Sequence, residues 1–129
     1  MLSIKNLLLF SLAVGLLTGC AHTNVTNLTP SVQPRNAKNL YPIELIFDSN
    51  MHALRDASVK PYVVVGFDAF EMRPTLGMNN RWEGMVPVAK DKDNVGYHFK
   101  VDYQYNRIGQ PAGDGSKLSR NYILRIVEE

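Results

Sequence analysis

From Val95 to Asn106 the chain alternates without a fault. Val95, Tyr97, Phe99, Val101, Tyr103 and Tyr105 occupy one set of positions, and Gly96, His98, Lys100, Asp102, Gln104 and Asn106 the other. Successive side chains of a strand point to opposite faces, so this period of two predicts a half-buried antiparallel strand with one apolar and one wetted face. The apolar face needs a second layer to cover it.

Shorter runs of the same kind surround it. Tyr41, Ile43, Leu45 and Phe47 fall on one face of a strand over 41–47. Lys60 to Phe67 is apolar on both faces, as in a central strand. Short strands are expected at 70–73 and over 82–88, where Trp82, Val86 and Val88 alternate and Pro87 marks an edge or a strand end. A last strand is expected near 121–127, and a first near 25–28. Gly109 to Gly115 reads as a Gly/Pro-rich loop, and Asp91 to Asn94 as Asx-type turn chemistry in a hairpin between Val88 and Val95. Only Asn50 to Ser58 is weakly helical in composition, enough for one turn between sheets. Turn signals every 8–12 residues or so predict an all-β fold: an immunoglobulin-like antiparallel β-sandwich of six to seven strands over residues 40–129. A small closed barrel is the alternative. No Cys…Trp…Cys pattern is present, so the sandwich would be free of disulfides.

The start of the chain is of another kind. After Lys5, residues 7–17 form an uncharged apolar run of eleven. As a helix this run reaches roughly 16 Å, about half a bilayer core, which suits the apolar region of a signal peptide better than a membrane span. Leu17-Thr18-Gly19-Cys20 follows directly. This tetrad resembles the lipobox of bacterial lipoproteins. The resemblance implies cleavage before Cys20, a diacylglycerol on its thiol and a fatty acid such as palmitate on its new amino group. It would also explain a single cysteine in an exported chain. Several acyl chains make a durable anchor where one would be marginal. Ala21, rather than Asp, resembles the sorting pattern of outer-membrane lipoproteins. The expected organisation is a signal peptide over 1–19, a lipidated Cys20 with a polar, Pro-containing tether over 20–39, and the sandwich from residue 40.

Fourteen Lys+Arg stand against twelve Asp+Glu, a net +2 from which cleavage would take one positive charge. So even a balance excludes the basic face of a nucleic-acid binder. Chemistry is sparse as well. His22, His52 and His98 have no serine or cysteine in a nucleophile motif around them, and no H-E-x-x-H occurs. His52 near Asp48 and Asp56, and the oxygen donors of Asp91-Lys-Asp-Asn94, read as solvated loop and turn residues rather than metal sites. Asn24-Val-Thr26 and Asn27-Leu-Thr29 match the glycosylation sequon but read as coincidence in a bacterial lipoprotein. No cofactor and no catalytic residue are expected.

Asn80 to Val88, followed by Gly96-Tyr-His-Phe-Lys-Val-Asp-Tyr103, resembles a pattern in the early-set sandwich domains of glycogen-binding modules. About 25 residues carry the resemblance, and it implies the fold more than a ligand. The expected function is a non-enzymatic, lipid-anchored envelope lipoprotein with a structural or protein-interaction role, recognising a partner through loops or an open sheet edge. The alternative is a carbohydrate-binding module for envelope glycan, with Trp82 as the stacking residue.

Overall fold

The computed structural model describes residues 22–129. The expected signal peptide and Cys20 lie outside the described residues. Ten strands follow in order: β1 (Thr23–Asn27), β2 (Val32–Pro34), β3 (Leu40–Ser49), β4 (Lys60–Val65), β5 (Asp68–Glu71), β6 (Arg73–Pro74), β7 (Arg81–Pro87), β8 (Asn94–Arg107), β9 (Gln110–Leu118) and β10 (Tyr122–Val127). They form two sheets. One has the order β1-β3-β7-β6, and the other β2-β10-β8-β4-β5, with β9 also on β8. Because β9 and β10 pair with successive halves of β8, they act as one interrupted strand. Four strands facing a sheet built on β10, β8 and β4, with an added β5, is the arrangement of variable-type immunoglobulin sandwiches. The barrel alternative is set aside.

Alternation decides which side chains fill the space between the sheets. On β3, Tyr41, Ile43 and Leu45 are fully buried and Phe47 nearly so; on β8, Tyr97, Phe99 and Val101 meet them. Val59, Val63, Met72, Val86, Val88, Leu124 and Ile126 complete the buried cluster. Each large side chain so buried stabilises the fold by about 1.5–3 kcal/mol before entropy is subtracted. Tyr97 stacks on Tyr122 at 5.6 Å and meets Phe99 edge-on at 5.6 Å. Tyr97 stands two residues before Phe99, as the corner tyrosine of immunoglobulin domains stands before a disulfide cysteine. The Tyr97 hydroxyl accepts a hydrogen bond from Asn27 Nδ2 at 2.8 Å, which ties the first sheet to the second. That amide nitrogen is the atom a glycan on Asn27 would need.

Several expectations change. The seven expected strands are joined by β2, β6 and β9. The stretch read as a tether supplies β1, antiparallel to β3, and β2, parallel to β10, so the folded unit already includes Thr23 and the sandwich is not wholly antiparallel. Polar residues suffice there because both are edge strands with one wetted face. Val88 to Val95 is not a hairpin: β7 and β8 belong to different sheets, and the segment between them crosses from one to the other. Gly109 to Gly115 is not a loop. Only Ile108 and Gly109 turn the chain, with Gly109 at φ 66, and β9 starts at Gln110. The 50–58 segment does carry a single turn, the 3₁₀ helix Asp56–Ser58, between the sheets.

Candidate functional site

The β9 edge is the feature that stands out once the strands are placed. β8 takes β9 on one side, and no strand takes the other side of β9 among the described residues. β2, which covers the neighbouring β10, pairs only over 32–34. The phase of the free edge follows from two contacts. Ser119 donates its N–H to the Phe99 carbonyl at 2.9 Å, and Gln104 turns its own N–H away from β9 to Ser58 Oγ at 2.8 Å. Residues 113, 115 and 117 therefore bond to β8, while Ala112, Asp114, Ser116 and Leu118 direct N–H and C=O outward. Between this edge and β1 lies an open groove of about 670 Å³, lined by Asn24, Thr26, Lys117 and Leu118 among others.

Two tyrosines hold β9 in place. Tyr103 is paired with Gly115 and Tyr105 with Gly113. A Cβ on Gly115 would come within 2.5 Å of the Tyr103 ring, and one on Gly113 within 2.3 Å of the Tyr105 ring. The glycines are thus the seats of two rings. Sequence reasoning missed this edge; the signal was there in two glycines at period two, matching two tyrosines at period two across an Ile-Gly turn.

The residues singled out from sequence are scattered. Trp82 is half-buried against the core, in register with fully buried Leu45 and so on the inner face of β7. It borders a surface groove of about 720 Å³ that also takes in Glu71, Met72, Arg73 and Glu83. His22 and His52 are exposed, and His98 is half-buried on the outer face of β8. Among the described residues no group of three or more His, Cys, Asp or Glu is placed to hold a metal. No described helix is long and apolar enough to cross a membrane. The outer face of β8 and β9 is polar: Ser116 Oγ donates to Asp102 Oδ1 at 2.9 Å, and Lys100 pairs with Asp102 at 3.4 Å.

The strongest ionic cluster lies far from that edge. Arg35, with 14% of its side chain exposed, pairs with Asp93 at 2.8 Å and with Glu128, and donates to the Lys92 carbonyl at 3.0 Å. The hydrogen bond that Arg35 Nε donates to the Glu128 carboxylate raises the Arg35 pKa above its already alkaline value, against the opposing effect of burial. Asp93, read from sequence as turn chemistry, is thus one anion of a clamp.

No protein-family model matches the sequence, and neither does any curated protein. Among solved structures, murine CRIg is similar in fold, with a TM-score of 0.43 and 14% identity over 84% of this chain and 98% of that one. The fold class stands on the strand order described above.

Proposed function

We propose that this chain is a lipid-anchored lipoprotein of the bacterial envelope, most simply of the outer membrane, with a non-enzymatic role. Its sandwich would take a partner protein by strand addition on β9. The Leu17-Thr18-Gly19-Cys20 tetrad supports the anchor. The observation that carries the binding mode is the unpaired outward edge at Ala112, Asp114, Ser116 and Leu118, with an open groove of about 670 Å³ at its Leu118 end. Backbone bonds to such an edge supply affinity, and alternate side chains supply choice of partner. Pro111 and the charges of Asp114 and Lys117 are the usual guards against indiscriminate pairing. The carbohydrate reading is the weaker one, because the inward, half-buried Trp82 is better placed to pack than to stack on a sugar.

A photo-crosslinking side chain placed at Asp114 in growing cells tests the edge. Ser116→Pro removes one outward N–H while leaving the β8 ladder intact, and Ser116→Ala controls for the hydroxyl. A discrete protein adduct that survives Ser116→Ala and disappears with Ser116→Pro is expected. Equal adducts from Asp114 and from Met85, on the outer face of the other sheet, would sink the reading. Separately, Cys20→Ala should move the protein from the membrane to the soluble fraction without unfolding it.

A further inference from the structure

The topology puts the start of the described chain at one particular end of the sandwich. Thr23 is in register with Ser49, the last residue of β3, and His22 exchanges hydrogen bonds with Asn50: its N–H reaches Asn50 Oδ1 at 2.6 Å and its carbonyl accepts from the Asn50 N–H at 3.1 Å. The 75–80 loop is at this end too, since Phe47 donates to the Asn80 carbonyl at 2.9 Å. So is the β8–β9 hairpin tip, because Leu54 bridges to Tyr105 and Asn106 donates to the Ala53 carbonyl at 2.8 Å. β4 and β8 are antiparallel, so the β4–β5 turn with Phe67 lies at the opposite end.

This end leaves apolar side chains exposed, of which Met78 also accepts from Arg81 Nη1 at 3.6 Å. Leu76 is 96% exposed, Ile108 102% and Met78 50%. Arg55 and Arg107 are exposed nearby, their Nε atoms bonded to Asn106 Oδ1 at 2.6 Å and to the Pro111 carbonyl at 2.9 Å, with no carboxylate partner among the described residues. Cys20 stands two positions before His22, and two residues span at most about 7 Å. If the acyl chains are on Cys20, as the reading above holds, no tether separates them from the sandwich.

We propose that this end of the sandwich rests on the lipid surface, with Leu76, Met78 and Ile108 in the boundary between headgroups and acyl chains and Arg55 and Arg107 among the phosphates. The proposal rests on the lipid-anchor reading. A boundary depth of roughly 5–10 Å is within reach of exposed side chains on turns at the end of the sandwich where the described chain starts. Asp48 and Asp56 are exposed at the same end, so charge orients the contact less than the apolar tips do. The sandwich then stands upright, and the β9 edge runs away from the membrane, open to a partner in the aqueous space.

The test uses the full chain, matured in cells and reconstituted into vesicles of phosphatidylethanolamine with a minority of phosphatidylglycerol. The chain has one cysteine, and acylation leaves it no thiol, so Leu76→Cys, Ile108→Cys and Phe67→Cys each take a fluorescent label at a single place. All three side chains are almost wholly exposed, so folding is preserved. Labels at 76 and 108 should be quenched by aqueous iodide about threefold less than the label at 67, and should be quenched by nitroxide-bearing lipid where the label at 67 is not. Mass spectrometry of the same samples reports the acyl groups. Acylated protein with three equally iodide-accessible labels overturns the docked orientation and leaves the anchor standing. Unacylated Cys20 overturns both.

Discussion

The ring of Tyr103 occupies the space that a side chain at Gly115 would need: a Cβ there would meet Cε2 at 2.5 Å and Cζ at 2.6 Å. The two residues face each other across the β8–β9 ladder, and Tyr103 also packs against the core and lies 6.1 Å from Phe47. Tyr105 covers Gly113 in the same way but is not part of that cluster. Gly115→Ala therefore has to move a ring with packing partners, and Gly113→Ala a ring that can swing outward. The expected costs are about 2–3 and about 1 kcal/mol respectively, within the range for overpacking. Urea unfolding midpoints of the two variants check the order. A reversed order, or two midpoints equal to the parent's, would show that the glycines are not ring seats.

A second prediction concerns the bond between the sheets. Tyr97 is 3% exposed, and its hydroxyl accepts from Asn27 Nδ2, while Asn27 Oδ1 accepts from the Thr29 N–H at 3.0 Å. Tyr97→Phe keeps the ring on Tyr122 and removes only the hydroxyl, at an expected cost of about 1 kcal/mol. Together with Asn27→Ala the losses should fall short of additive, because both remove the same bond. Amide exchange in β1 should quicken in either variant. Fully additive losses with unchanged exchange would mean that β1 is held by its ladder to β3 alone.

The period-two pattern carried the centre of the fold because burial there is one-sided: β3 and β8 each present a row that the other sheet covers, and their side chains announce it. Edge strands have no such row. β1 and β2 are short and polar, and only pairing partners distant in sequence make strands of them. β9 failed for another reason, since its inward positions are glycines whose volume is supplied by tyrosines on β8, so the strand carries no apolar signature of its own. The candidate site was least readable of all. An unpaired edge is a property of the sheet order, and no single residue on it, from Ala112 to Leu118, encodes that the neighbouring strand stops at Pro34.

Arg35 supplies a third prediction. It joins the end of β2 to Glu128 and Asp93, and its own N–H bonds to the Val127 carbonyl at 2.9 Å. Because pairing raises the guanidinium pKa, the folded state holds the proton more tightly than the unfolded one. The Arg35 contribution is therefore present through mildly acidic, neutral and mildly alkaline solution and is lost as strongly alkaline pH rises through the folded value. Arg35→Ala should open the parallel β2–β10 ladder, seen as faster amide exchange at Arg125 and Val127, by an amount that does not vary between mildly acidic and mildly alkaline solution. Exchange confined to its parent rate would show the clamp to be idle.

Trp82 separates packing from recognition. Its indole is half-buried on the inner face of β7, beside Leu45 and against the core, and it is the chain's one tryptophan. Intrinsic fluorescence therefore reports on this place alone, with emission that shifts to the red and becomes fully open to iodide only on unfolding. Trp82→Ala removes a large, partly covered surface and should cost about 2 kcal/mol, while Trp82→Phe keeps most of the contact and should cost about half as much. Sedimentation with peptidoglycan or insoluble glucan should leave both the parent and Trp82→Phe in the supernatant. Retention of the parent on either glycan, abolished by a Trp82 variant that melts as the parent does, would move the function from the β9 edge to the groove beside Trp82.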